Sequence, residues 1–165
     1  MTAPVVLRPV INTDQAFLRD LYIDAHADLA ALPAEVAQTI VDLQLRAQSA
    51  QYAATWPEAT DSVILANGQR AGRIWTARTE DTVRVLDLAV RTTHRRRGIA
   101  SQLLRDLQQE GTRVALSVWV GNATARALYA GLGFEEVGSS AAYLELAWSP
   151  RVPVGAASAR SEEGR

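Results

Sequence analysis

Val83-Arg84-Val85-Leu86-Asp87-Leu88-Ala89-Val90, followed closely by Arg95-Arg96-Arg97-Gly98-Ile99-Ala100-Ser101, is the stretch that decides the fold. Its first part is a strongly apolar run of strand length. Its second is a basic turn leading into Ile99, Leu103, Leu104 and Leu107, spaced as one face of a helix over about residues 98–109, which Gly111 closes. A strand, a tight turn and a helix N-terminus make an anion site together. The first amides of a helix have no intrahelical acceptor, and the macrodipole adds about half a positive charge there. Gly98 and Ala100 are small, so a phosphate can approach the backbone, and three permanently charged arginines stand beside them. The turn reads as a seat for a phosphorylated ligand.

Downstream, Val114 to Val120 is a near-continuous apolar run of the kind buried in a central sheet. Strand, helix and strand predict a right-handed parallel crossover that pairs residues 83–90 with 114–120. Upstream, residues 62–66 and 71–78 flank Asn67-Gly68 as a hairpin, and Glu80-Asp81 turns the chain into Val83. Three antiparallel strands in sequence are expected. Nearer the N-terminus, Val5 to Val10 reads as a short strand, with Pro9 marking its end or a sheet edge. Asn12 or Thr13 caps a helix carrying Phe17, Leu18, Leu21, Tyr22 and Ala25. Pro33 opens a second helix, whose apolar stripe is read as Val36, Ile40, Leu43 and Ala47, continuing toward Tyr52 and ended by Trp56-Pro57. Asn122 caps a short helix through Ala125, Leu128 and Tyr129, which Gly131 or Gly133 ends. Residues 134–137 and 142–148 supply a last pair of strands. The fold class is α/β (mixed α+β): a mostly antiparallel twisted sheet of about six to seven strands, one parallel β-α-β crossover, and helices on both faces. One domain is expected over residues 1–148, with a flexible tail over 149–165.

Composition narrows the chemistry. The chain has 165 residues, 48% of them apolar, and a formal net charge of −1, so no global field draws it to nucleic acid. Arg95, Arg96 and Arg97 alone, without a wider basic face or interleaved aromatics, make a poor nucleic-acid footprint. There is no cysteine, which excludes disulfides, thiolate metal sites and a cysteine nucleophile. With only His26 and His94, no metal site is expected. All 17 basic residues are arginine, so no lysine is present to act as base, Schiff base or acylation site. No apolar run approaches membrane-spanning length, and the N-terminus lacks the pattern of a signal peptide, so a cytoplasmic setting without membrane contact is expected.

Two segments resemble the GCN5-related N-acetyltransferase (GNAT) superfamily. The family's acetyl-CoA signature, Arg or Gln, two residues, Gly, one residue, Gly or Ala, stands here as Arg95 to Ala100. Its Asn-x-x-Ala…Leu-Tyr-x-x-x-Gly-Phe segment is similar to Asn122, Ala125, Leu128, Tyr129, Gly133 and Phe134. The two come in the family's order with a strand between them. The resemblance covers residues 83–137 closely and the order of elements from 5 to 148 loosely. It implies an acetyltransferase using acetyl-CoA as cosubstrate and no metal. Backbone groups of Leu88, Ala89 and Val90 would hold the acetyl and pantetheine portion, beside a strand bulge common in the family. Amides from Arg95, Arg96, Arg97, Gly98, Ile99 and Ala100 would bind the pyrophosphate, with Ser101 and Arg91 as further phosphate contacts. Asn122 would contact the pantetheine arm, and Tyr129 matches the family's frequent general acid. A homodimer is compatible with the family's habits.

Asp87 lies within an apolar strand, where an unpaired carboxylate is costly. It reads as a general base, an acceptor-binding anion or an ion-pair partner for an arginine. Some histone-acetylating relatives carry a glutamate where Arg84 stands, so a base at that position is not implied here. Tyr22, Tyr52, Trp75 and Trp119 are candidates for an acceptor pocket, with core packing the commoner role for such aromatics. His94 reads as a solvated loop residue. The expected function is acetyl transfer from acetyl-CoA to a primary amine of a small molecule or peptide by direct attack in a ternary complex. The alternative is a non-catalytic acyl-CoA-binding sensor or regulatory module.

Overall fold

Asn67 and Gly68 both take positive φ, 51° and 75°, the geometry of a two-residue hairpin turn, and they join β2 (Thr60–Ala66) to β3 (Gln69–Arg78). The structure, a computed structural model, describes residues 4–152. β1 (Val5–Pro9) precedes a 3-10 turn at Asn12–Asp14, then α1 (Gln15–Ala25), α2 (Ala27–Ala30) and α3 (Ala34–Thr55). After the hairpin come β4 (Thr82–Val90), α4 (Ile99–Gln109), β5 (Arg113–Trp119), α5 (Ala123–Gly131), β6 (Glu135–Ser139) and β7 (Tyr143–Trp148). The seven strands form one sheet in the order β1-β2-β3-β4-β5-β7-β6, and β4–β5 is its parallel pair. This is the mixed sheet expected from the sequence.

Helices cover both faces. On one side Ile64, Ile74, Val83, Val85, Val114 and Leu116 of the strands meet Ile99, Leu103, Leu104 and Leu107 of α4. On the other, Phe17, Leu18 and Leu21 of α1 close over Val63. Burying each such side chain is worth about 1.5–3 kcal/mol, so α4's four-residue stripe is what pins it to the sheet.

Three expectations are corrected. The parallel pairing is shorter than 83–90 with 114–120: it runs from Thr82↔Arg113 to Val85↔Leu116 and then stops. The stripe of α3 is displaced: Ala37 and Val41 are buried, whereas Val36 is 47% and Leu43 is 62% exposed. In that helix alanines are as many as large apolar residues, which weakens the periodic signal, and the buried face lies one position away from the expected one. Neither Asn12 nor Thr13 caps α1 with its side chain; both lie in the 3-10 turn, and Asp14 stands at the cap position. The expected flexible tail falls, beyond Val152, outside the described residues. No helix among the described residues is long and apolar enough to cross a membrane.

Asp14 clips the N-terminal segment to the sheet. Its carboxylate, fully buried, accepts from Arg8 Nη1 and Nη2 at 2.7 and 2.8 Å and from the Ile11 amide at 2.9 Å, and Arg70 stands at 3.1 Å. The Arg8 hydrogen bonds, outweighing burial, hold its pKa at about 2 instead of 3.8. A carboxyl depressed in the folded state adds stability above its unfolded pKa and loses it as pH falls through the folded one. Asp14→Ala is therefore expected to lower unfolding free energy by about 2 kcal/mol at pH 7. The difference from wild type should vanish as pH falls from about 4 toward 2. Urea titrations at pH 7 and pH 3 check both; a pH 7 difference near zero contradicts the assigned role.

Candidate active site

The site begins with one extra residue. In the β3–β4 ladder Trp75 pairs with Asp87 but Thr76 pairs with Val85, so Leu86 is a bulge. A bulge bends its strand and resets the alternation of side chains. Val83 and Val85 face α4 before it, and Leu88 and Val90 pack on the same α4-side core after it. Asp87 and Ala89 are thereby turned to the opposite face, toward α1 and α3. The Leu86 carbonyl is not left unpaired: the Tyr52 hydroxyl of α3 donates to it at 2.8 Å. The bulge also coincides with the end of β4–β5 pairing, so beyond Val85 the two strands share no ladder. The edge of β4 along Leu88, Ala89 and Val90 is thereby left without a strand partner on the β5 side.

At the far end of that edge lies the basic turn. Gly98 caps α4 with φ +74°, and Arg96 has φ +60°. This backbone leaves the amides of residues 96–101 without a hydrogen-bond acceptor among the described residues; the Gln102 amide is the first to find one, the Gly98 carbonyl at 2.9 Å. Arg96 and Arg97 are exposed. Arg95 is partly committed, since its Nε donates to the Val90 carbonyl at 2.9 Å and ties the turn to β4. Arg91 lies over the Phe17 ring, 5.4 Å from its centroid. The loop is held from α1 as well. Asp24 accepts from the Thr92 amide at 2.6 Å and from its hydroxyl at 2.5 Å. Burial raises the Asp24 pKa, but these two bonds and nearby arginines pull it below the ordinary value.

On the α1–α3 side of β4 is a cavity of about 200 Å³. Leu21, Tyr22, Ala25 and His26 form one wall, and Gln48, Arg73, Asp87 and Ala89 the rest. Tyr22 and His26 stack with ring centroids 4.2 Å apart and planes 16° apart. Burial pushes the Asp87 carboxyl up from its ordinary value; Arg73 opposes the rise and Asp61 adds to it. Arg73 does not ion-pair with Asp87. It engages Asp61 through two bonds of 2.7 and 2.6 Å and stacks on Trp75.

Tyr129 of α5 packs against the α4-side core. Its ring meets Phe134 edge-on at 5.8 Å, and burial, followed by the charge of Asp87, raises the phenol's pKa. Tyr22 and Tyr52 are raised for the same two leading reasons. Three phenols thus feel the charge of one carboxylate. Asn122 caps α5 as expected: its Oδ1 accepts from the Ala125 amide at 3.1 Å, which leaves its Nδ2 as the available donor. Ser101 sits half-buried in the first turn of α4. His94 is a loop residue in the 3-10 turn Thr92–His94.

Of the candidate aromatics, Tyr22 lines the cavity, Tyr52 holds the bulge and Trp75 is buried against Tyr52. Trp119 is 56% exposed and belongs to neither pocket wall nor core. Arg84 reaches Glu145 and Ser117, each at 3.0 Å. Sequence reasoning missed His26, Gln48, Arg73 and Asp24. Only Tyr22 and His26 had a local signal, the i, i+4 spacing that puts both rings on one helix face. No group of three or more metal-ligating side chains occurs among the described residues.

Residues 58–136 match the family model of the acetyltransferase (GNAT) domain. Among solved structures, the PaiA N-acetyltransferase of Thermoplasma acidophilum, in complex with coenzyme A, matches with a TM-score of 0.65 and 13% identity over 88% of this chain and 99% of its own. An acetyltransferase from Thermus thermophilus gives a TM-score of 0.67 and 17% identity over 89% and 97% of the two chains. The ribosomal-protein-S18-alanine N-acetyltransferase of Escherichia coli gives 0.56 and 20% over 92% and 98%. At such identities the likeness is one of fold. No curated protein matches the sequence.

The electrostatics of Asp87 predict a conflict between stability and site. A carboxyl whose folded pKa is raised is destabilising once ionised, so folding stability falls as pH rises through that value. Asp87→Asn removes the ionisation and is expected to raise the melting temperature at pH 7 while leaving it unchanged near pH 3. Thermal melts at the two pH values check this. A variant less stable at pH 7 contradicts the reading of Asp87 as an uncompensated carboxylate.

Proposed function

We propose, from the premise that residues 58–136 carry a GNAT acetyltransferase domain, that this protein transfers the acetyl group of acetyl-CoA to a primary amine in a ternary complex. The bulge at Leu86 carries the proposal, because it puts a carboxylate on one side of β4 and an open strand edge beside it. Acetyl-CoA, when bound, supplies an acetyl group already activated as a thioester. The chain's own residues fit it. Six successive amides, 96–101, lack acceptors among the described residues, beside exposed Arg96 and Arg97, and they match a pyrophosphate in charge and donor count. Backbone groups of Leu88, Ala89 and Val90 lie along the unpaired edge of β4 and suit an amide-rich arm, and Asn122 offers its Nδ2.

Within that frame Asp87 is the general base. An alkylammonium has a pKa of about 10.4, far above an ordinary carboxylate, and burial of Asp87 narrows the gap. The Asp87 carboxylate takes the acceptor's proton, directly or through a water, and frees the nitrogen lone pair for attack. Tyr129 has the opposite duty. Its raised pKa means that the phenol keeps its proton, so it acts by donating a hydrogen bond that strengthens as negative charge develops on the leaving sulfur. Without cysteine the chain has no thiol to carry the acetyl group, which favours direct attack by the amine. Holding amine and thioester together supplies much of the rate.

Release of CoA thiol on mixing the protein with acetyl-CoA and a panel of amines tests the activity. Tight acetyl-CoA binding with no amine-dependent release would instead mark a non-catalytic acyl-CoA sensor. Tyr129→Phe is expected to lower kcat by at least about tenfold with little change in KM for acetyl-CoA; an unchanged kcat removes Tyr129 from the chemistry. For Asp87 the sign is fixed by the need for the ionised form. kcat/KM for the amine rises with pH through a value above the ordinary carboxylate range, and Asp87→Asn abolishes that limb together with most activity. Asp24→Ala frees the Thr92 loop and should raise KM for acetyl-CoA by about tenfold, with kcat less affected.

A further inference from the structure

We propose that the acceptor is a small primary monoamine with a single flat, aromatic-sized body, of the 2-phenylethylamine kind, seated in the cavity between α1, α3 and β4 with its ammonium on Asp87. This rests on the acetyltransferase reading and narrows its acceptor. Size is the first argument. The cavity holds about 200 Å³, and an apolar cavity of about 150 Å³ accommodates a benzene ring. One ring and a short arm match that volume.

The wall chemistry is the second argument. Leu21, Ala25 and Ala89 are apolar, and Tyr22 stacked on His26 presents a planar aromatic surface. Such a wall gains from burying a ring and loses from burying peptide amides without partners.

Charge is the third argument. Arg73, the arginine in the wall, has Nε and one Nη occupied by Asp61. Arg84 is likewise held by Glu145. These pairs cancel, and Asp87 is left without a salt bridge among the described residues. One uncompensated carboxylate fits one ammonium. A polyamine would bring further charges with no counterpart, and an amino acid would bring its carboxylate beside Asp87 with no free guanidinium fork to receive it.

Calorimetry on the full chain, with and without acetyl-CoA, tests this with 2-phenylethylamine, ethylamine, spermidine, phenylalanine and a neutral tripeptide. 2-Phenylethylamine is expected to bind at least about tenfold more tightly than ethylamine, from ring burial alone, and more tightly than the other three. CoA release should follow the same order. Asp87→Asn should abolish amine binding while retaining acetyl-CoA binding. Ala25→Trp, at an exposed position that tolerates bulk, should erase most of the preference for 2-phenylethylamine over ethylamine; Ala89→Val is the second variant that fills the cavity. Tighter binding of spermidine, phenylalanine or the tripeptide, or no amine binding at all by a protein that binds acetyl-CoA, overturns the proposed acceptor. CoA release with one of those rivals leaves the acetyltransferase reading standing. Failure to bind acetyl-CoA overturns that reading as well.

Discussion

Strict alternation along β4 would put residues 83, 85, 87 and 89 on one face and drive a carboxylate into the apolar layer beneath α4. The insertion of Leu86 prevents this. It turns Asp87 to the α1–α3 side, keeps Leu88 and Val90 on the α4 side, and coincides with the point where β4 and β5 part. A continued regular ladder would have neither an open edge on β4 nor Asp87 turned to the α1–α3 side. The bulge itself is stabilised from outside the sheet, through the hydroxyl of Tyr52 on the Leu86 carbonyl. The long helix α3 thus serves the site through one hydrogen bond near its C-terminus.

The two halves of the site are joined by α1. One surface of that helix carries Leu21, Tyr22 and Ala25 into the cavity, and Asp24 reaches the loop that precedes α4. Displacement of the helix at the cavity side would therefore be felt at Thr92, and the reverse. Electrostatics follow the same economy. Arg73 and Arg84 are each matched by a carboxylate, so the residual charge is concentrated on Asp87, whose burial raises its proton affinity; burial and the charge of Asp87 likewise raise that of Tyr129.

Most of the scaffold was legible in the sequence because its signals are local. Asn67-Gly68 specifies a hairpin by its own φ preferences, and Ile99, Leu103, Leu104 and Leu107 specify a helix by their period. The turn before α4, with its unpartnered amides, was legible for the same reason, since backbone geometry at a helix N-terminus needs only Gly98 and its neighbours. What escaped depends on distant pairings. Arg73 and Asp61 sit on adjacent strands, and Asp24 and Thr92 are 68 residues apart, so no spacing announces either contact. The stripe of α3 was hard to place because alanine, small enough to be buried or exposed, weakens the periodic signal. Asn122 was identified correctly as a cap, and that duty leaves its amide nitrogen as the donor for any ligand.

The central claim is that the open edge of β4 and the turn before α4 form one continuous ligand seat created by the bulge. Amide hydrogen exchange with and without acetyl-CoA measures it directly, residue by residue. The account predicts new protection at residues 86–90 and 96–101, with β1, β2 and β6 unchanged. Protection confined to other strands, or to the turn alone without β4, would contradict it.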